Sequence, residues 1–583
     1  MHLHCNWTII ATLLSFSFIA SPPVSASANF TQCLQAVKNG EFGLDGGRDN
    51  KGNSVNVSEA TAISYDLCIA ACGSGPSPFV WSAFSQQFTS WLLPWLALIS
   101  QLPFGANDKL DNFISVLLAV GSPVLAAYSV MLTVLNSRWV AHMFHKISYP
   151  NVRSAVRILS SLQQAPVRVS RDPHLLPSLV VLPHNDEWWD ELIEYLGFTY
   201  SWSVSAASSL IWVLLAYIFT IIESFTVTIA GIAQLFQING QGVGSVWLWL
   251  LPVVLSWLQI SPKCDSLHIE QAVRRANELA HVATANPHEP VRASTIDTRR
   301  AIYLRHGQGS LHTDERCTSP IFNYARIFSW TITVEEVAYC FRQASKRAGR
   351  FEPVGQQKWV RGDRNIRVQM ENRVGTALEV QEYCGYYPDL TMPPRWGAGV
   401  WSRILVASLL ALFLQWGTTG AALLIAWWTP TRGLGCRSAS YLGYACLSTL
   451  VWAILLLSTI LSHYSTFSRI DPMNGQPIYN TRSWLAAGLS VALRRLAKVL
   501  ATINAIGIVV MNIFQFSGLL DRCYCDSSVI GLGKSAYSVI NLVDDDVSSL
   551  RAAWIGGVIL ALGSATLFVG VLNLLINPPL PEA

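Results

Sequence analysis

Two long apolar segments, Trp401 to Trp428 and Tyr441 to Tyr464, stand back to back, joined only by Thr429-Pro430-Thr431-Arg432-Gly433-Leu434-Gly435-Cys436. Each exceeds the roughly 20 apolar residues that a bilayer crossing needs, and neither contains an Asp or Glu. In hydrocarbon a backbone N–H or C=O has no water to pair with, so such segments fold as helices. The pattern predicts a transmembrane hairpin, and every other part of the chain must be compatible with a bilayer. Composition agrees: 51% of residues are hydrophobic and 13% are charged, where soluble domains carry about 25% charged residues. The formal net charge of +4 is small, and Lys and Arg gather in loops beside apolar segments. Membrane orientation accounts for that distribution, so no nucleic-acid partner is expected.

Residues 1–28 read as a signal peptide, with an apolar core from Asn6 to Ile19 and the small-x-small ending Ala26-Ser27-Ala28. Residues 29–90 are expected to form an extracytoplasmic cap with Cys33, Cys68 and Cys72, and with an N-glycosylation acceptor at Asn56-Val57-Ser58. Residues 91–136 divide into an interfacial or re-entrant segment from Trp91 to Phe104 and a first span, kinked at Gly121-Ser122-Pro123. Arg138, Lys146, Arg153, Arg157, Arg168 and Arg171 then place 137–202 in the cytosol. The acidic, aromatic run Asp186 to Glu194 closes that loop and reads as an interfacial helix.

Residues 203–260 supply spans two and three, with a turn expected at Asn239 to Gly244. Residues 261–399 form the largest soluble piece, a cytosolic domain. Helices are predicted over Cys264–Ala285 and from the capping-box pattern Thr333-Val334-Glu335-Glu336 to Gly349. Alternation at Ile366, Val368 and Met370 predicts strands between Lys358 and Tyr383. The hairpin occupies 400–464. A cytosolic loop and an amphipathic helix over Ser483 to Leu500 fill 465–500, and spans six and seven flank a lumenal loop at 521–552 within 501–577. A short cytosolic tail, 578–583, follows. The expected fold is an all-α polytopic membrane protein of about seven transmembrane helices, with a disulfide-linked lumenal cap and a mixed α/β cytosolic insertion. Its N-terminus is extracytoplasmic and its C-terminus cytosolic.

This topology sorts the cysteines. Cys33, Cys68, Cys72, Cys436, Cys523 and Cys525 fall outside, an even number suited to an oxidising compartment, while Cys264, Cys317, Cys340 and Cys384 fall inside. Bridges from the cap to the two lumenal loops are expected, although six cysteines leave fifteen pairings open.

The sharpest candidate for chemistry is Glu223, a carboxylate well inside a predicted span, where even a lenient insertion scale charges about 2.5–3.5 kcal/mol. Thr220 lies near it. Ser408, Gln415 and Thr419 in one span, and Asn504, Asn512 and Gln515 in another, recur at helical spacing. Converging faces would make an ion pathway or polar ligand site; the plainer reading is hydrogen-bonded contact between helices. Gly531-Leu532-Gly533-Lys534-Ser535 has the end of a phosphate-binding loop but Ser528 where its first glycine belongs. No pattern calls for a catalytic residue, a metal or a cofactor.

In Pro394-Arg395-Trp396-Gly397-Ala398-Gly399-Val400-Trp401, Gln415-Trp416-Gly417-Thr418-Thr419-Gly420 and Gly433-Leu434-Gly435-Cys436-Arg437-Ser438 the chain resembles a family of uncharacterised polytopic membrane proteins of filamentous fungi. The resemblance runs from near Trp91 to the last span and implies a membrane fold without implying an activity. The expected function is therefore a non-enzymatic, receptor-like or scaffold protein whose partners are the bilayer and a protein at 261–399. The alternative is a transporter or channel using Glu223.

Overall fold

The computed structural model describes residues 30–581, apart from 44, 105–108, 198–201, 227–232, 297–299, 306–309, 363–367, 389–395, 467–468, 471–476 and 479–480. The expected signal peptide lies outside these residues. The chain is mostly helical, and seven segments are long and apolar enough to cross a membrane: Pro123–Phe144, Val204–Ile222, Gly240–Ile260, Val400–Trp428, Cys436–Ser465, Thr481–Phe516 and Asp544–Leu575. They fit an integral membrane protein.

The first long helix is broken where the sequence places a kink. Lys109–Gly121 stops and Pro123–Phe144 starts, with Ser122 between them outside helical geometry. Pro123 has no N–H to give and its ring displaces the preceding turn, which leaves carbonyls unpaired. Tyr444 Oη donates to the Val120 carbonyl at 2.7 Å, and Asn504 Nδ2 donates to the Gly121 carbonyl at 2.8 Å. Ser122 caps the second segment through the Leu125 N–H at 3.3 Å. Backbones meet closely here: a Cβ on Gly121 would overlap the Ala501 carbonyl. Gly121→Ala is therefore expected to destabilise the bundle by about 1–3 kcal/mol, the usual range for overpacking, read as a lower melting temperature of the detergent-solubilised protein.

Several elements depart from the sequence reading. The expected turn at Asn239 to Gly244 is helical, inside Ala233–Trp247. Its glycines let neighbours approach: a Cβ on Gly240 would overlap Trp91, and one on Gly244 would come within 2.8 Å of Tyr217. The Trp91 segment is a π turn, Phe88–Leu92, followed by a short helix, Leu93–Ile99, which buries Trp95 and Leu98 in the bundle core. No break separates the predicted amphipathic helix from span six, because Thr481–Phe516 is one helix.

On one side of the bundle, 137–202 and 261–399 form a single domain instead of two separate pieces. Val167–Val169 pairs antiparallel with Ile302–Leu304, and one hydrophobic core takes residues from both stretches. Trp188 and Trp189, expected at a lipid interface, are fully buried in that core. Their ring nitrogens donate to Asn277 Oδ1 and the Leu179 carbonyl, both at 3.1 Å. The predicted helix start at Thr333 lies mid-helix in Asn323–Gly349, and the capping box sits at Thr376, which accepts from the Glu379 N–H. The strands expected between Lys358 and Tyr383 are replaced, among the described residues, by Met370–Arg373 in a 3-10 turn and the helix Ala377–Cys384. The domain is thus helical with small strand pairs, the second being His281–Val282 with Val291–Arg292.

On the opposite side, the cap is completed by another part of the chain. Ala62–Ser64 pairs with Gly47–Arg48 on one edge and with Tyr537–Val539, from the last loop, on the other. A small core of Leu34, Val37, Val57, Ile63 and Leu67 lies beneath, together with Cys33, Cys68, Cys72 and Cys523.

Candidate functional site

The polar residues singled out in the sequence make separate contacts among the described residues. Glu223 falls on the helix Val204–Thr226, but its side chain is outside the described residues. Thr220 donates to its own helix at the Tyr217 carbonyl, 2.7 Å away. Gln415 Nε2 donates to Thr419 Oγ1 one turn later at 2.9 Å. Asn504 holds the kink described above. Gln515 Oε1 accepts from Tyr441 Oη at 3.1 Å. Of these contacts, those of Asn504 and Gln515 join neighbouring helices, and those of Thr220 and Gln415 stay within one helix. Within the seven long apolar helices, three buried amides remain without a full set of partners among the described residues: both amide atoms of Asn512 and of Gln241, and Gln415 Oε1. Gln241 was hidden from sequence reading because it lay in a predicted turn.

The best-defined polar site sits where the bundle meets the cap. The tip of the hairpin and the start of Cys436–Ser465 enclose a cavity of about 40 Å³ with Arg437, Tyr441, Gln515 and Asp526 in its wall. The Cys436–Cys525 disulfide closes one side. Arg437 pairs with Asp521. Asp526 keeps some solvent contact. Burial nonetheless raises its carboxyl to about 7, against the pull of Arg437 and with the repulsion of Asp521. The room suits bound water better than an organic ligand.

That carboxyl makes the loop pH-sensitive. A folded-state pKa above the unfolded value means the folded loop holds the proton more tightly. Its stabilising contribution is complete below the unfolded value of 3.8 and is lost as pH rises through about 7. The protection factors of the amides of 521–540, with the intrinsic base-catalysed rise in exchange divided out, are expected to fall from pH 5 to pH 8, and Asp526→Asn to flatten that fall.

A second bridge, Cys68–Cys523, ties the cap to the same loop. Cys33 and Cys72 are buried thiols in mutual contact, and burial first, then Cys33, pushes the Cys72 thiol up. The sulfurs of Cys68, Cys72 and Cys523 lie within 4.8 Å of one another, a spacing found in metal sites, but two of them are spent in the bridge. Asn56 is exposed, as a glycan acceptor must be. Gly533–Ser535 is an exposed 3-10 turn with no phosphate-loop geometry.

At the other end, charge is buried between bundle and domain. Asp314, 0% exposed, receives Tyr324 Oη and Lys498 Nζ, the latter at 2.7 Å, with Arg494 Nε at 3.8 Å. Glu315 meets Arg168 at 2.7 Å and His312 at 3.3 Å; burial would raise its carboxyl, but the His312 hydrogen bond and Arg168 hold it low. Arg326, 1% exposed, donates to the carbonyls of Gln163, Cys317 and Ser319 and to Gln164 and Asn323. Burial pulls its guanidinium down to about 10, which leaves it charged at neutral pH. Arg403 adds a further tie, donating to Asn136 and Thr331 and lying 4.1 Å over the Trp139 ring.

No protein-family model, curated protein or solved structure matches this chain. Any functional assignment must therefore come from the geometry.

Proposed function

We propose that the chain is an integral membrane protein of receptor-like or scaffold type, non-enzymatic, with its cap outside the cell or in the secretory lumen and its large domain in the cytosol. One observation carries this reading. The helix Asn323–Gly349 begins in the bundle core, with Tyr324, Ile327 and Phe328, and continues into the domain core with Val334, Val337, Cys340 and Phe341. A single unbroken helix thus belongs to both, and the buried ionic contacts lie at its base. The domain is held as a rigid extension of the membrane part, which suits presenting a fixed surface to a protein partner at 261–399. The positive-inside distribution of Lys and Arg and the disulfides of the opposite face support the orientation.

The competing reading is a transporter or channel that uses Glu223. Purified protein reconstituted into sealed vesicles is expected to leave proton and potassium permeability at the level of protein-free vesicles. A flux that Glu223→Gln abolishes would overturn the scaffold reading. Labelling of intact cells with an impermeant thiol reagent is expected to reach Cys436, Cys523 and Cys525 only after reduction and never Cys317 or Cys340. The opposite pattern would invert the orientation.

A further inference from the structure

Four cysteine sulfurs meet where the cap rests on the last loop, and they come from three elements. Phe30–Lys38 carries Cys33, Tyr65–Cys72 carries Cys68 and Cys72 one turn apart, and Cys523 opens the short helix Cys523–Asp526. The first and third of these pack on Tyr65–Cys72. Cys68 and Cys523 are bonded, and Cys72 Sγ lies within 4.8 Å of both their sulfurs. Cys33 Sγ donates to the Ala71 carbonyl at 3.5 Å, which sets it beside the Cys72 thiol that it contacts. Cys72 therefore has a partner thiol on one side and a closed bridge on the other.

Buried thiols can act simply as small apolar side chains. Packing asks only for volume, however, and does not require one sulfur to stand within reach of two different partners. Exposure also divides the four into pairs. Cys33 and Cys72 are 8% and 6% exposed, whereas Cys68 and Cys523 are 0% and 1% exposed, so an external reductant meets the first pair before the second. Burial first, then Cys33, holds the Cys72 thiol protonated. Only the thiolate attacks a disulfide, so exchange within the cluster is slow at neutral pH and quickens about tenfold per pH unit. The bridge is thereby kept closed until an electron pair arrives.

We propose that the four sulfurs form a thiol–disulfide relay, in which Cys33 and Cys72 take an electron pair from an external thiol or phosphine reductant and pass it to Cys68–Cys523, releasing the cap. The reductant cleaves a Cys33–Cys72 bridge and is itself oxidised, leaving the two thiols of the present structure. The Cys72 thiolate then attacks Cys523 Sγ. A Cys72–Cys523 bond forms, the Cys68–Cys523 bond breaks, and Cys68 leaves as a thiolate that takes up the proton Cys72 gave up. The Cys33 thiolate attacks Cys72 Sγ in turn, closing Cys33–Cys72 and expelling Cys523, which takes up the proton from Cys33. Two electrons and two protons have passed from the entry pair to the bridge. Attack falls on Cys523 because Cys68 and Cys72 share one helical turn, whose backbone fixes their separation, while Cys523 lies on another element. The relay depends on the cysteine geometry and not on which side of a membrane the cap faces.

The test uses the full-length protein in detergent, with Cys33–Cys72 closed by an oxidised thiol carrier and then treated with a phosphine, which reduces a bridge without leaving a mixed disulfide. Samples are quenched in acid, thiols are blocked, and each cysteine is read by peptide mass. Wild type is expected to show thiols first at Cys33 and Cys72 and then, as that pair closes again, at Cys68 and Cys523. Protease cutting within 30–80 is expected to begin with the second step. In Cys33→Ser/Cys72→Ser the Cys68–Cys523 bridge is expected to open about tenfold more slowly, because an internal thiol at an effective concentration of about 1 mM or more is replaced by about 0.1 mM external reductant. Cys33→Ser alone, which lacks the second attacking thiol, is expected to yield a Cys72–Cys523 linked peptide with Cys68 as a free thiol. Failure of Cys33–Cys72 to close, persistence of its two thiols beside an intact Cys68–Cys523 bridge, or thiols at Cys68 and Cys523 first would each overturn the relay. A double variant that opens as fast as wild type, as when Cys525 delivers the electron pair instead, overturns it as well. If protease cuts the double variant before any reduction, its cap is not folded, and the order of appearance in wild type together with the linked peptide of Cys33→Ser decides.

Discussion

Asp314→Asn is expected to lower the stability of the purified protein by about 3–5 kcal/mol, the cost of removing one partner from a buried ionic contact. Asp314 is fully enclosed, and its carboxylate is the shared acceptor for Tyr324 and Lys498, with Arg494 beside it. Removing its charge leaves the Arg494 guanidinium, 9% exposed, facing a dipole where a full negative charge stood. Lys498 is 27% exposed and recovers part of its hydration, which places the loss toward the lower end of the range. The measurement is thermal unfolding in detergent, with the reactivity of the buried Cys317 as a local probe. In the double variant Asp314→Asn/Lys498→Met the two losses are expected to be less than additive, because the second change removes a charge that the first left uncompensated. Strict additivity would show that the two side chains act independently.

Replacing Cys68 and Cys523 together with Ser is expected to release the cap from the bundle, at a cost of about 2–5 kcal/mol to cap stability. The bridge joins residues 455 positions apart. The full chain-entropy gain for so long a loop does not apply, because intervening helices already hold the two ends near each other. What remains besides the bridge is a small core and the pairing of Ala62–Ser64 with Tyr537–Val539. A protease added from the cap side is expected to cut 30–80 in the variant at concentrations that leave wild type intact. Cys436→Ser/Cys525→Ser is expected to loosen the loop at 521–540 and spare the cap, since that bridge ties hairpin to loop. Cys33 and Cys72 are placed to close a third bridge when an oxidising disulfide carrier is supplied, and intact mass after thiol blocking without reduction is expected to count neither as free.

The positions of the apolar helices were readable because hydrocarbon imposes a demand on every residue in a span, and about twenty consecutive apolar residues suit little besides a bilayer. The kink at Pro123 was readable for a similarly local reason: the missing N–H belongs to the residue itself. Asn504 was visible as a polar residue in a span, but its task was not, since the carbonyl it serves lies on a helix nearly four hundred residues earlier in the chain. Asn239 to Gly244 misled because glycine is ambiguous by itself. It permits a turn, and it equally permits a close helix contact if a bulky partner such as Trp91 stands opposite. Trp188 and Trp189 misled in the same manner, since an aromatic side chain suits an interface or a core depending on what covers it.

By itself, then, the amino-acid sequence determined how many helices could cross a membrane, roughly where they lie and which cysteines were available to pair on one face. Those properties depend on neighbours along the chain and on the solvent. Only the tertiary structure decided that 137–202 and 261–399 share one core, that Arg326 and Asp314 are buried between domain and bundle, and that Cys68 bonds Cys523 while Cys436 bonds Cys525. Each of these is a contact between residues far apart in the chain, and its energy depends on the dielectric and the partners that the fold brings together.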